Sequence, residues 1–161
     1  MKIFGIVGWK NSGKTTLVAA LVREFGARGL RVSTVKHAHH AFDLDRPGKD
    51  SWQHRNAGAH EVLIASHGRW ALLHELRGAP EPALAGLLHH MSPVDLVLVE
   101  GFKDETHPKL EVRRNGIKGS LLADADPHIV AIATDTVIAP QAKPVFALND
   151  VAAIADFILR Q

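Results

Sequence analysis

The sequence of 161 residues contains no cysteine, which excludes disulfides and thiolate metal sites. It has no apolar run approaching the length of a membrane span, so no bilayer-crossing helix is expected. The formal charge is only +2, and the lysines and arginines are scattered rather than striped, which argues against nucleic acid as a partner. Internal repeats, linkers and low-complexity tracts are absent, as is the N-K-x-D motif that reads guanine. The chain opens on a strand-like segment rather than a signal peptide, so a cytoplasmic location is the expectation. Hydrophobic residues at 46% and charged residues at 22% are ordinary globular composition. A chain of this length reads as a single domain, residues 1–161, able to bury ~70% of its unfolded surface.

What is present is concentrated at the start. Lys2–Val7 (KIFGIV) is a short apolar strand that runs into Gly8-Trp9-Lys10-Asn11-Ser12-Gly13-Lys14-Thr15, then Thr16 and the helix-like LVAALVREF. This is a G-x-x-x-x-G-K-[ST] phosphate-binding loop with a strand before it and a helix after it. The glycines let the backbone wrap a phosphate with N–H groups pointing inward, and the helix N-terminus adds a positive dipole. In that role Lys14 reaches the β- and γ-phosphates and the Thr15 hydroxyl ligates Mg²⁺. The alternative is a plain glycine-rich turn with Ser12 as helix N-cap.

Further elements follow from apolar periodicity. A helix is expected over Lys14–Arg28, a strand over Leu30–Lys36, a short helix over Ser51–Ala59 and a helix over Glu81–Met91. Glu61–Ser66 and Arg69–Glu75 read as a hairpin around His67-Gly68. Val94–Val99 and Ile129–Ala133 are near-continuous apolar runs that fit strands buried on both faces. Leu110–Arg113 and Val145–Leu148 are shorter strands, and Asn149-Asp150 can cap a last helix, Val151–Arg160. The alternation gives an α/β fold with a mostly parallel central sheet and one small antiparallel insertion.

Ligands of such sheets bind at the carboxyl ends of the strands. The residues there are Lys36-His37, then Asp43, Asp45 and Asp50 in the following loop, Glu100-Gly101, and Thr134-Asp135. Mg²⁺ takes oxygen ligands, usually one or two carboxylates with phosphate and water. Glu100 is the leading candidate and Asp45 the next, with Asp43 and Asp50 competing; Asp50 can instead cap a helix.

The run GWKNSGKTT, the stretch Lys36-His37 to Asp45-Arg46-Pro47-Gly48-Lys49-Asp50-Ser51, the turn Val99-Glu100-Gly101-Phe102-Lys103 and the segment Pro108–Arg113 together resemble the molybdopterin-guanine dinucleotide biosynthesis adaptor proteins, the MobB family. The resemblance spans nearly the whole chain. It implies the three-layer P-loop NTPase fold of the dimeric GTPases that include dethiobiotin synthetase and the nitrogenase iron protein. It implies GTP and Mg²⁺ as cofactors and a slow GTPase acting mainly as an accessory protein. The implied partner is the molybdenum cofactor guanylyltransferase, with molybdopterin as a further candidate ligand and a homodimer as the expected assembly. By likeness to dethiobiotin synthetase, Asp45, with Asp43 as the alternative, and Glu100 would hold Mg²⁺ together with Thr15. Gly8, Lys10, Asn11, Ser12, Gly13, Lys14, Thr15 and Thr16 would surround the phosphates, with Lys14 and Thr15 in the catalytic role. Asp135, Asn149 or Asp150 could accept the guanine imino and amino hydrogens, or simply cap turns.

One departure stands out. Relatives in the wider class carry a second lysine directly after the first loop glycine; this chain has Trp9 there and Lys10 one place later. Trp9 could stack on a base or a partner, or pack against the sheet edge. A different functional class, a small-molecule kinase or synthetase using the γ-phosphate, needs an arginine-bearing lid, for which Leu72–Ala85 offers only Arg77. The eleven histidines, with His37, His39 and His40 clustered, raise a third reading, a metal-delivering GTPase. Arg113 and Arg114 are candidates for a pterin phosphate.

Overall fold

The computed structural model describes residues 1–38 and 45–161, so Asp43, His39 and His40 lie outside the described residues. In chain order the elements are β1 (Lys2–Val7), α1 (Lys14–Ala27), β2 (Val32–Lys36), α2 (Asp50–Asn56), β3 (Glu61–Ala65), β4 (Trp70–His74), α3 (Leu84–Leu88), β5 (Leu96–Glu100), β6 (Lys109–Arg113), a 3₁₀ turn at Leu122–Asp124, β7 (Ile129–Thr134), β8 (Val145–Ala147) and α4 (Val151–Arg160). They fall into two compact units, Met1–His37 with Met91–Gln161, and Ala38–His90.

The first unit is built on a six-stranded sheet in the order β2-β5-β1-β6-β7-β8. Every neighbouring pair is parallel. β5 is buried at all five positions, as a strand covered on both faces should be. One face carries α1 and α4. Leu17, Leu21 and Phe25 of α1 and Ile154 and Ile158 of α4 pack there against Phe4, Ile6, Leu98, Leu110 and Val112. The other face gathers Val7, Ile129 and Ile132 with Ala123 of the 3₁₀ turn. Asp150 caps α4, its carboxylate accepting from the Ala153 N–H at 3.1 Å, as expected. Because all six strands run the same way, every strand's carboxyl end opens on one edge.

A buried lysine fixes the segment after β5. Lys109 is 1% exposed, and its ammonium donates to the carbonyls of Lys103 and Glu105 at 2.5 and 2.6 Å and to Asp126 Oδ2 at 2.6 Å. All three protons are used, which is what makes its burial tolerable. On β1, a Cβ at Gly5 would stand 2.5 Å from Lys109 Cγ and 2.6 Å from His107 Nε2, so only glycine fits.

The second unit holds the antiparallel ribbon β3–β4, in register Glu61↔His74 to Ala65↔Trp70, together with α2 and α3. The expected hairpin is therefore present. The helix expected over Glu81–Met91 is cut to Leu84–Leu88. Pro80 and Pro82 hold their preceding residues out of the helical region, and Ala83 is extended without a capping side chain. β2 starts at Val32, two residues later than expected; the Arg31 N–H donates to Asp95 Oδ2 at 2.7 Å instead of to a neighbouring strand. The 3₁₀ turn is too short to leave a periodic signal.

Candidate functional site

The loop between β1 and α1 takes a conformation that glycine and asparagine permit. Gly8 has φ 146°, Asn11 63° and Gly13 94°. A Cβ on Gly8 would lie 2.5 Å from the Val112 carbonyl and 2.7 Å from Ser12 Oγ. Ser12 is fully buried behind the loop and makes no capping bond; the N-cap of α1 is Gly13, with no side-chain cap. Ser12 therefore does not cap α1. The first-turn N–H groups of a helix have no partner within it, and among the described residues no side chain caps them here. They leave an open mouth of N–H donors, of the kind that can take an anion.

Lys14 lies across that mouth. Its ammonium donates to the Gly8 and Trp9 carbonyls at 2.9 and 2.8 Å. Burial lowers its pKa; Glu100 opposes this and the cations Lys36 and Lys103 add to it. Lys10 and Asn11 are exposed on the loop, and Trp9 turns sideways. Its indole N–H donates to the Ser120 carbonyl at 2.9 Å, and its ring covers Gly119. Of the readings open for Trp9, the described geometry is a brace on the loop that follows β6.

On the β5 side of the loop, Thr15 Oγ1 donates to Glu100 Oε1 at 2.7 Å. The Lys36 ammonium, from the end of β2, lies 3.2 Å from both of these oxygens. A hydroxyl and a largely buried carboxylate thus already share one cation, Lys36. Such a hard-oxygen pair is the donor chemistry Mg²⁺ selects, so these residues fit that ion. The turn beyond is held from both sides: Gly101 N–H donates to Ile6 O at 3.2 Å, and His37 N–H to Glu100 O at 2.9 Å. His37 also stacks on Phe102 at 4.7 Å between ring centroids, which supports Phe102 at a φ of 49°, rare for a bulky residue.

On the β6 side a cleft of about 750 Å³ runs from Gly13, Thr16 and Leu17 to the ends of β7 and β8. Both nucleotide candidates from the far strands, Asp135 and Asn149, line it, and so does Arg114. Asp135 is occupied: Oδ1 accepts from the Asn115 N–H at 2.7 Å and Oδ2 from Arg114 Nε at 3.2 Å. The Asn115 bond first, then Arg114, hold its carboxyl below the usual range.

Asp45 lies in the other unit. Its Oδ1 accepts from Ser51 Oγ at 2.8 Å and from the Arg46 N–H at 3.1 Å, fixing the turn that enters α2. Arg77, the lid candidate of the kinase reading, donates to the Arg55 and Ala59 carbonyls, both at 2.8 Å, and so ties α2 to the ribbon. Among the described residues, no cluster of three or more His, Cys, Asp or Glu has the geometry of a metal site. No described helix is long and apolar enough to cross a membrane.

The site therefore has a mouth of uncapped helix N–H groups with a lysine across it, an oxygen pair with a cation on one flank and a cleft with a guanidinium on the other. Residues 3–135 match the family described as molybdopterin guanine dinucleotide synthesis protein B. The chain belongs to the MobB family. It is 38% identical over 162 residues to the molybdopterin-guanine dinucleotide biosynthesis adapter protein of Escherichia coli, covering 98% of this chain and 91% of that one. The adapter protein of Haemophilus influenzae is also 38% identical, over 97% of this chain and 86% of its own. Solved MobB structures share the fold. A crystal structure of molybdopterin-guanine biosynthesis protein B superposes with a TM-score of 0.76 at 29% identity, covering 98% of each chain. The MobB homolog of Bacillus stearothermophilus gives 0.71 at 28% identity over the full length of both. The family's three-layer α/β fold, expected from the sequence, is the one observed.

Sequence reasoning brought together Lys14, Thr15, Glu100, Asp135 and Asn149 at one sheet edge, where the structure has them. It missed Lys36 as the cation shared by Thr15 and Glu100, although its place at the end of β2, beside β5, was a signal. It offered Arg114 only as a candidate for a pterin phosphate and did not bring it beside Gly13.

Proposed function

We propose that this chain is a GTP-binding adapter in the conversion of molybdopterin to its guanine dinucleotide form, assisting the molybdenum cofactor guanylyltransferase. Membership of the MobB family supports the pathway. The single observation that carries nucleotide binding is the uncapped α1 mouth with Lys14 across it and the Thr15–Glu100–Lys36 cluster beside it.

In this reading the amides from Gly13 to Thr16 and the Lys14 ammonium hold the phosphates, and Lys14 leaves its two carbonyls to do so. Lys10, Asn11 and Ser12 shape the mouth around them. Thr15 and Glu100 would hold Mg²⁺, which would supply positive charge to the phosphates; Asp45 holds the turn that enters α2 within its own unit. Lys36, displaced from that oxygen pair, is placed to meet the γ-phosphate. Asn149, at the far end of the cleft, is the nearest base reader, and preference for guanine rests on the family. Hydrolysis needs an oriented water and added charge neutralisation, the latter worth ~10³–10⁵ in rate. The free protein is therefore expected to turn over well below once per second, with a partner or a second copy supplying the stimulation. A cytoplasmic homodimer is proposed, with the exposed β3–β4 ribbon as the contact. The kinase reading is disfavoured because Arg77 is committed to backbone carbonyls of its own unit.

The test is a titration of GTP and ATP, with and without Mg²⁺, run beside a pull-down with the guanylyltransferase. We expect GTP to bind more tightly than ATP, and Lys14→Ala to weaken it by about ten- to a hundred-fold, the worth of a charge-assisted hydrogen bond. Unchanged GTP binding in Lys14→Ala would move the site elsewhere. Fast phosphate transfer from ATP to a metabolite would replace the adapter reading with the kinase one.

A further inference from the structure

In the strand order, β6 lies beside β1 on the side away from β5. Residues that follow β6 therefore flank the phosphate mouth opposite Glu100. Arg114 is the first of them. A Cβ built on Gly13 would stand 3.2 Å from Arg114 Cδ and 3.8 Å from both Nε and Nη1, so the guanidinium lies over the last turn of the loop. The same side chain lines the cleft that leads from Gly13 and Thr16 toward Asn149.

Its orientation is fixed from behind. Nε donates to Asp135 Oδ2 at 3.2 Å, while Asp135 Oδ1 is anchored by the Asn115 N–H at 2.7 Å. One edge of the guanidinium is thus tied down and the two Nη atoms remain for a ligand. The side chain is half exposed, so it can be reached from the cleft. A planar fork of N–H donors matches two non-bridging oxygens of one phosphate. A nucleotide whose β- and γ-phosphates sit in the mouth, and whose base lies toward Asn149, must pass its α-phosphate by Gly13 and Thr16.

We propose that Arg114 binds the α-phosphate of the nucleotide, and that Asp135 is the positioning residue of Arg114 rather than a reader of the base. This rests on the reading that a nucleoside triphosphate occupies the Gly8–Thr16 loop. It accounts for the cleft beginning at an arginine. It also explains why a carboxylate lining that cleft spends both oxygens on the chain itself. Arg114 lies on the flank away from Glu100 and Lys36, so its contribution is to affinity and orientation and not to charge at the γ-phosphate.

The experiment compares GTP, its α-thio analogue and its γ-thio analogue in the full chain and in Arg114→Ala, Arg114→Lys, Asp135→Asn and Lys14→Ala. Arg114→Ala should weaken GTP and GDP by about ten- to a hundred-fold. In the parent, α-thio substitution should reduce affinity; in Arg114→Ala that penalty should vanish while the γ-thio ratio stays unchanged. Arg114→Lys restores charge without the fork, so affinity should recover in part and α-thio discrimination should not. It also carries the test if the alanine variant fails to fold. Asp135→Asn should weaken binding by less than Arg114→Ala and blunt the α-thio discrimination; a merely structural Asp135 would leave that ratio alone. If Arg114→Ala and Arg114→Lys keep the parent's affinity and α-thio ratio while Lys14→Ala loses binding, the Arg114 assignment falls and the loop reading stands. If Lys14→Ala also binds GTP like the parent, the loop reading itself falls.

Discussion

β5 and β3 are nearly the same string, LVLVE and EVLIA, yet they live in opposite surroundings. Every residue of β5 is buried. In β3 only Val62 is, while Leu63 is 62% and Ile64 43% exposed, and Trp70 on the facing strand is 65% exposed. The difference lies in what covers the strands. β5 has β1 and β2 on either side, and its Leu96 and Leu98 pack in the cluster that α1 and α4 close. A two-stranded ribbon has no such cover and is marginal alone in water. Apolar side chains exposed on such a ribbon are what a partner surface would cover. That is the physical ground for proposing a second copy on β3–β4.

The largest effect that sharpens this contrast is Val97→Asp. The site is fully buried in the centre of the sheet, and an unpaired carboxylate there should cost more than about 4 kcal/mol and leave the chain unfolded at room temperature. Circular dichroism of the purified variant reads this directly. A cooperatively folded Val97→Asp would mean that the centre of the sheet is far looser than its burial says.

Next comes Lys109→Met, which keeps the volume and removes the charge. Breaking a buried pair by deleting one partner typically costs 3–5 kcal/mol, and partial exposure of Asp126 places this one near the low end, at about 3 kcal/mol. The loss should show as a lower urea midpoint with an unchanged slope. A midpoint like the parent's would show that the three contacts of Lys109 contribute no net stability.

Smaller in stability, and opposite in kind, is Leu63→Asp. An exposed ribbon position should change the monomer by no more than about 0.5 kcal/mol. The same substitution should turn the proposed dimer into monomer in sedimentation, because a charge would be buried in the contact. An intact dimer in Leu63→Asp, with or without GTP, would remove the ribbon as the interface.

Much of the sheet was legible in advance because its information is local. The G-x-x-x-x-G-K-[ST] loop, the apolar runs of β5 and β7, and Asp150 ahead of α4 carry their structure in a few adjacent residues. Glu100 was legible because it closes a buried strand. What was not legible depends on strand order. Lys36 meets Thr15 and Glu100 only because β2 pairs with β5, and Arg114 reaches Gly13 only because β6 pairs with β1. Crossover order leaves no periodic trace in a sequence. The double use of Asp135 is hidden for the same reason, since its partners Arg114 and Asn115 stand on a neighbouring strand end.

The smallest expected effect is a slope with pH, and it belongs to the sheet's unit alone. Burial lowers the pKa of His107; the nearby Lys109 and His128 charges act with it, against Glu105 and Asp126. Unfolded, this imidazole titrates near 6.5. Between that value and the lower folded one, the unfolded chain binds more protons than the folded chain. Stability must therefore fall as pH falls through this window, and rise again on return. Asp126 behaves separately. Burial pushes its pKa up, but the Lys109 ammonium and the His128 N–H outweigh it and leave it below 3.8. Its contribution is complete above that value and is lost only as pH falls through the lower folded one. The His107 window opens near 6.5 and the Asp126 window lies below 3.8. Urea midpoints measured from about pH 7.5 downward should decline first below about 6.5. In His107→Gln this first decline should be reduced, while the acid limb near Asp126 remains. If His107→Gln keeps the parent's full slope just below about pH 6.5, other groups carry the pH response, and the buried imidazole of the sheet does not.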